Sequence, residues 1–321
     1  MQVFQEPIAA RHDTGANHPE RPQRLDAVNE ALSDLGLIAR SLAGTRWAEA
    51  DETIAFISTL HEPRYIERFR RACADGRSYM DVVDCAICPE SFHAAVAAAG
   101  CALAAADAAM SGSGTAAFSA MRPPGHHAEA DRAMGFCFFN NIALAAQRLI
   151  EAHGLERVAI VDFDVHHGNG TQHLFESRGD VLYLSTHQHP ATLYPGTGYE
   201  WERGTRGTPG EGCTLNIPLA PGSGHAEALD AFGRLVVPAL KHYRPQALLV
   251  SAGFDAEARD PLAMLRWTPE TYRAISALLA DAAAELAAGR IVTVLEGGYD
   301  TGALKEGLTQ HLAAIDSRLN G

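Results

Sequence analysis

The sequence lacks several features that would indicate a nucleic-acid-binding, membrane or secreted protein. Lysine and arginine number 26 against 39 aspartates and glutamates, a formal net charge of −13, whereas binding to phosphate backbones needs clustered basic residues. We find no apolar run long enough to span a bilayer, and the N-terminal segment lacks the basic start and apolar stretch of a secretory signal. We therefore expect a cytoplasmic protein that binds neither nucleic acid nor membranes.

The chain also lacks a disulfide or zinc-finger pattern, internal repeats, low-complexity tracts and linkers. Its six cysteines have no regular spacing, which is typical of a reducing compartment. Cys85 and Cys88 form a CxxC pair without a second pair, so we expect them to pack rather than to bind metal or act in redox chemistry. A single domain over residues 1–321 is the simplest organisation.

Short β-branched runs alternate with longer Ala- and Leu-rich stretches, which predicts an α/β fold with a parallel sheet covered by helices on both faces. The Gly-rich stretch 196–212 is expected to be a surface loop. The predicted strands are Thr115–Ala120, Val158–Phe163, Val181–Ser185, Ala247–Ser251 and Ile291–Leu295. The predicted helices include Pro22–Leu35, Pro63–Ala74, Pro89–Met110, Asn140–His153, Ala226–His242 and Pro269–Ala288.

Polar side chains follow the predicted strands, where parallel sheets place their ligand sites. In "VDFDVHHGNG" (161–170), Asp162, Asp164 and His166 alternate with apolar residues and so share one face. Their carboxylates would repel each other unless a cation lies between them, and Asp255 in "SAGFD" is the best further ligand. Zn²⁺ suits this set, and Fe²⁺, Co²⁺ or Mn²⁺ would also bind it. A hydrogen-bonded polar cluster without metal is the alternative.

Three further residues have the chemistry of a hydrolase. His126 and His127 follow a Pro-Pro-Gly turn, and such displayed imidazoles transfer protons between water and a leaving group. Tyr299 follows "EGG" and would donate a hydrogen bond to a carbonyl oxygen that becomes negatively charged.

These motifs together resemble the zinc-dependent histone deacetylase superfamily. The resemblance rests on segments in the family's order over roughly residues 12–305, namely "HPERPQRL", "RPPGHHA", "GFCFFNNIALAA", "DFDVHHGNGTQ", "SAGFDAEARDPLAML" and "LEGGYD". It implies the three-layer arginase/deacetylase fold, with a predominantly parallel eight-stranded sheet. It points to the class II branch and its bacterial histone deacetylase-like amidohydrolases, because Asn169 stands where many class I members have Asp.

The resemblance also implies roles for individual residues. Asp164, His166 and Asp255 would hold the metal, Asp162 would orient His126, Asn169 would hold His127, and His127 would be the general base and acid. Tyr299 would polarise the amide carbonyl, and its retention favours a competent enzyme. Phe136, with its neighbour Gly135, and Tyr194 would line a narrow tunnel for an acyl-lysine stem. The family further implies a structural K⁺ near four residues, Asp162, Asp164, His166 and Ser185.

Other functions remain open at this stage. An arginase-like ureohydrolase needs a second metal, but Gly168 stands where its bridging carboxylate would be. A non-catalytic acyl-lysine-binding module is the second alternative. Within the family, Leu262 stands where polyamine-specific relatives place an acidic gatekeeper, which favours acylated lysine side chains of proteins or peptides over acetylated polyamines. Glu20 is expected at the entrance, where it would attract a polyamine. The sequence leaves open a homo-oligomer.

Overall fold

The computed structural model describes residues 1–112 and 116–319. Eight strands form one parallel sheet in the order β2-β1-β3-β8-β7-β4-β5-β6. The strands are β1 Gln2–Phe4, β2 Ala39–Arg40, β3 Ala116–Ser119, β4 Val158–Asp162, β5 Val181–Gln188, β6 Thr214–Leu219, β7 Ala247–Ala252 and β8 Ile291–Leu295. The predicted α/β class, parallel sheet and eight strands are confirmed.

Ten α-helices are found in the described part of the chain. They are α1 Gln23–Asp34, α2 Ala50–Ile57, α3 Pro63–Ala74, α4 Ser91–Ala109, α5 Asn141–Glu151, α6 Asn169–Phe175, α7 His225–Ala231, α8 Val237–Tyr243, α9 Pro269–Leu286 and α10 Thr301–Leu319. A π-helical segment, Phe232–Val236, joins α7 to α8, so the single helix predicted over Ala226–His242 has a distorted middle.

The central strands are buried on both faces, and this places one hydrophobic layer on each side of the sheet. Val158 and Ile160 of β4 belong to one hydrophobic cluster with residues of α3, α4 and α5, while Ala159 and Val161 belong to a second with residues of α1, α9 and α10. Successive strand residues point to opposite faces, which explains why these strands are hydrophobic throughout rather than alternating.

The five predicted strands are all present, but three more were missed. β1 and β2 have only three and two residues, too short for a periodic signal. β6 is an edge strand containing Pro218, a residue that usually argues against a strand. Of the predicted strand Thr115–Ala120, Thr115 lies outside the described residues. The predicted surface loop lies between β5 and β6 as expected.

Helix α4 corrects one statement made from composition. It is long and apolar enough to cross a membrane by length and composition alone, yet 83% of its most apolar window is buried inside the fold. Its alanines pack on the sheet and on α5. The apolar run is therefore a core helix of the helical layer.

The candidate site lies beyond the carboxyl ends of four neighbouring strands. β3, β8, β7 and β4 are adjacent in the sheet and parallel, so the segments after their carboxyl ends meet at one edge. These segments contain the tandem histidines, Tyr299, Asp255 and the Asp164–His166 pair.

Candidate active site

Asp164, His166 and Asp255 form the only group in the described residues whose side chains could hold a metal ion with three or more His, Cys, Asp or Glu ligands. One ligand atom from each lies within 4.8 Å of the other two, and all three residues are buried. His166 Nδ1 is 3.1 Å from Asp164 Oδ1 and 3.2 Å from Asp255 Oδ2. Two buried carboxylates beside one imidazole are costly without a cation, so this donor set fits a divalent metal.

The remaining carboxylate oxygens are held by backbone N–H groups. Gly297 N–H donates to Asp164 Oδ2 over 2.8 Å, and Val165 N–H donates to Asp255 Oδ1 over 2.9 Å. A Cβ atom on Gly297 or on Gly253 would collide with these carboxylates, so both positions need glycine. These backbone hydrogen bonds orient both carboxylates.

The two tandem histidines have different electrostatic surroundings. His126 Nδ1 lies 3.0 Å from Asp162 Oδ2, as predicted from the sequence. Burial alone would lower the pKa of His126, but Asp162 and Asp164 outweigh it and raise this pKa to about 10. Burial, together with positive charge on His126 and His166, lowers the pKa of His127 well below its usual value. These opposite shifts favour a protonated His126 and a neutral His127.

Asn169 fixes which nitrogen of His127 carries the proton. The Asn169 amide group donates to Glu129 Oε1 over 2.5 Å, so its carbonyl oxygen faces His127 Nδ1 at 2.7 Å. This oxygen can only accept, so Nδ1 bears the hydrogen and Nε2 keeps its lone pair. The sequence indicated Asn169 but not Glu129, which fixes the orientation of the amide from outside the motif.

Tyr299 stands beside the metal-ligand group and is only 8% exposed. Burial, and then the charges of Asp255 and Asp164, raise its pKa well above the usual value, so the phenol remains a hydrogen-bond donor. Its backbone N–H donates to Asp260 Oδ2 over 2.7 Å, and the N–H of Leu262 donates to the other oxygen of Asp260 over 3.0 Å. Asp260 thus positions both Tyr299 and Leu262, a role that sequence reasoning missed.

A cavity of about 200 Å³ leads to these groups. Its lining consists of Asp84, His127, Gly135, Phe136, His166, Leu193, Tyr194, Leu262 and Tyr299. The structure therefore brings together at one cavity four of the five residues predicted to contact substrate: Gly135, Phe136, Tyr194 and Leu262. Asp84 and Leu193 were not predicted, because nothing in their local sequence distinguishes them from ordinary loop residues.

The expectation that Glu20 lies at the entrance is wrong. Glu20 is fully buried and accepts hydrogen bonds from Arg122 at 2.7 and 2.5 Å and from Arg24 at 3.0 Å. Burial alone would raise the pKa of Glu20, but the two arginines outweigh it and lower the pKa to about 2. Arg24 also donates to the carbonyl oxygen of Gly298 at 2.7 Å, so this cluster supports the loop of Tyr299 rather than the entrance.

Two of the predicted potassium-site residues, Asp162 and Ser185, pair across neighbouring strands. Ser185 of β5 is the register partner of Asp162 of β4, and both are fully buried. Asp162 Oδ1 accepts from the N–H of Asp164, and the Ser185 hydroxyl bonds His187 Nδ1 at 2.8 Å. His167, which follows His166, instead bonds Thr197 and Gln172 away from the metal-ligand group.

With this geometry described, comparison with known proteins decides the family. A model of the Histone deacetylase domain matches residues 18–315 of the chain. The chain belongs to the histone deacetylase family. Gly168 supplies no side chain for a second metal, so the arginase-like alternative finds no support in the site.

Individual relatives agree with this assignment. The deacetylase is 43% identical over 295 residues to a histone deacetylase-like amidohydrolase of Pseudomonas aeruginosa, covering 92% of this chain and 74% of that protein. The HDA15 HD domain superposes with a TM-score of 0.88 at 32% identity, covering 98% of this chain and 90% of the other. An acetylpolyamine aminohydrolase from Burkholderia pseudomallei gives a TM-score of 0.85 at 29% identity over 99% of both chains.

Replacing Glu20 by Gln should destabilise the deacetylase strongly, because it leaves two buried arginines without a negative partner. We expect the free energy of unfolding at neutral pH to fall by about 3–5 kcal/mol in urea denaturation. The control is Glu30→Gln, which removes an exposed carboxylate paired with Lys305 and should cost no more than about 1 kcal/mol. A loss no larger than that of the control would contradict the role given to Glu20.

The same variant should reveal a pH dependence. Because the folded-state pKa of about 2 lies below the usual 4.5, ionised Glu20 stabilises the fold above pH 4.5 and loses this effect as the pH falls toward 2. The stability difference between wild type and Glu20→Gln should therefore shrink across this range. A difference that stays constant or grows on acidification would show that the ion pairs do not account for it.

Proposed function

We propose that this deacetylase hydrolyses the acyl amide of Nε-acyl-lysine side chains in proteins or peptides, with a Zn²⁺ ion as cofactor. Fe²⁺ and Co²⁺ suit the same ligands, Asp164, His166 and Asp255. The observation that carries the proposal is the cavity, because the same small cavity is lined by Phe136 and Tyr194, by His127 and Tyr299, and by His166 of the metal-ligand group.

The bound metal would supply a Lewis acid that makes water more acidic and polarises a carbonyl oxygen. The side chains of this protein carry out the proton transfers and stabilise the developing charge. His127 Nε2, unprotonated because Nδ1 bonds Asn169, accepts a proton from the attacking water. The Tyr299 hydroxyl donates to the carbonyl oxygen as negative charge develops on it. His127 then returns its proton to the leaving amine, while the His126 cation stabilises the negative charge.

The residues that line the cavity favour a substrate with an apolar, lysine-like chain. Phe136 and Leu262 present apolar surface, and the Phe136 ring stands edge-on to the Tyr299 ring with centroids 5.7 Å apart. An uncharged chain of methylene groups fits such walls, whereas a charged group would be desolvated against them. Acylated polyamines are the second candidate substrates, supported by the likeness to an acetylpolyamine aminohydrolase and by Asp84 at the same cavity.

Two further parts of the proposal concern the ions and the location. A structural K⁺ beside Asp162, Asp164, His166 and Ser185 is supported by the burial of all four residues and by the pairing of Asp162 with Ser185 across β4 and β5. A cytoplasmic location is supported by the cysteines, all six of which are free thiols.

Tyr299→Phe should test the mechanism. Purified zinc-loaded wild type should hydrolyse an acetyl-lysine peptide, and the variant should lose about 10²–10³-fold in kcat with little change in KM, because the lost donor acts on charge that forms in the transition state. Steady-state kinetics measures both constants.

The matched control is Tyr79→Phe, which changes a half-exposed tyrosine outside this cavity and should leave kcat unaltered. Retention of wild-type kcat by Tyr299→Phe would refute the role of the phenol. Failure of the wild type to hydrolyse any acyl-lysine or acylpolyamine substrate would refute the proposed function and favour a binding module.

A further inference from the structure

Glu129 lies two residues after His127, yet its side chain does not line the cavity that substrate would enter. The Glu129 carboxylate instead contacts helix α6. Its Oε1 atom accepts from the Asn169 amide over 2.5 Å, and both of its oxygens lie 2.8 Å from Nδ1 of the half-exposed His173. Asn169 and His173 are one turn apart on α6, so one carboxylate bonds them both.

The backbone of Glu129 is fixed as firmly as its side chain. Its N–H donates to the carbonyl oxygen of Arg132 over 3.0 Å, and its own carbonyl oxygen accepts from His61 Nδ1 over 2.9 Å. His61 is buried, and its other ring nitrogen accepts from the N–H of Asn140 over 2.9 Å. The Glu129 carboxylate is therefore held at a defined position beside Asn169.

A carboxylate in this position selects one of the two orientations of the Asn169 amide. Because an ionised carboxylate only accepts, the amide NH₂ group faces Glu129 and the amide oxygen faces His127 Nδ1 at 2.7 Å. In the opposite orientation an N–H group would face Nδ1, the ring hydrogen would move to Nε2, and the base would lose its lone pair. The charge of Glu129 also polarises the amide and makes its oxygen a stronger acceptor.

We propose that Glu129 is a positioning residue that acts on His127 through Asn169 and supplies the negative charge that Asn169 lacks. The inference rests on the proposed function, in which His127 is the base, and deepens it. It requires one donor and one acceptor where residues 129 and 169 meet. Asn169→Asp alone would place two carboxyl groups against each other, whereas Asn169→Asp combined with Glu129→Gln restores a donor and an acceptor.

The test is a double-mutant cycle of wild type, Glu129→Gln, Asn169→Asp and the double variant. It measures kcat and KM of the zinc-loaded proteins with an acetyl-lysine peptide at mildly alkaline pH, where facing carboxyl groups do not share a proton. Glu129→Gln should lower kcat, because Gln both donates and accepts and no longer selects one orientation of the Asn169 amide. Asn169→Asp should lower kcat at least about tenfold with little change in KM, because His127 loses its alignment.

The decisive result is a reversal of sign. In the Asn169→Asp background, Glu129→Gln should raise kcat, to within about fivefold of wild type, although the same change lowers kcat when Asn169 is present. Two residues that act independently cannot give this reversal. A change in kcat by the same factor in both backgrounds would overturn the inference.

NMR of protein with isotope-labelled histidine reads the base directly, without turnover. The ring-nitrogen signals of His127, assigned by their absence in His127→Phe, distinguish hydrogen on Nδ1 from hydrogen on Nε2. We expect Nδ1–H alone in wild type and in the double variant, and a mixture of both forms in Glu129→Gln. Unaltered Nδ1–H in Glu129→Gln would contradict the role of Glu129, and this result decides the matter if Asn169→Asp does not fold.

Gln147 and Glu151 provide the matched control. Gln147 Nε2 donates to Glu151 Oε1 over 2.7 Å on α5, and neither residue lines the cavity. Gln147→Glu also brings two carboxylates together but should leave kcat within about twofold of wild type. A loss in this control equal to that of Asn169→Asp would overturn the inference. Failure of wild type to hydrolyse any acyl amide would instead refute the proposed function, and the NMR signals would still test the action of Glu129 on His127.

Discussion

Repulsion among buried carboxylates is the constraint on which the active site depends. Asp162, Asp164 and Asp255 are all at most 1% exposed and lie at or just after the ends of the adjacent strands β4 and β7. Burial alone raises the pKa of such groups, and at a dry sheet edge their charges need compensation. The negative charges are compensated in two ways. Asp162 pairs with His126, whereas Asp164 and Asp255 share His166 and could together bind a cation.

Other buried charges secure the loops that carry these groups. Glu296, at the end of β8, accepts from the backbone N–H groups of Gly125 and His126 and from the Ser251 hydroxyl, and so ties three strand ends together. Glu20 neutralises Arg24, which in turn donates to the carbonyl oxygens of Glu296 and Gly298. Hydrogen bonds from buried charged side chains therefore fix the catalytic loops. These side chains do not line the cavity that substrate would enter.

Much of this arrangement could be predicted from the sequence because its signals are local. The alternation of polar and apolar residues over 162–166, at and just beyond the end of β4, and the polar ends of the other strands are readable without a structure, and parallel strands bring their ends together. Glu20 was misjudged because its partner Arg122 is 102 residues away, and a loop glutamate looks exposed when the partner is unknown. Asp84, Asp260 and Glu129 could not be found for the same reason. The fold brings each of them to the site from another part of the chain, and none of them belongs to a recognisable motif.

The central claim is that Asp164, His166 and Asp255 hold one catalytic divalent ion. Anomalous X-ray scattering at the zinc edge, from crystals of the zinc-loaded protein, tests it most directly. The account predicts one strong peak within bonding distance of all three side chains, and loss of that peak in Asp255→Ala. A second transition-metal peak of equal strength beside the first, or a zinc peak that survives in the variant, would contradict it.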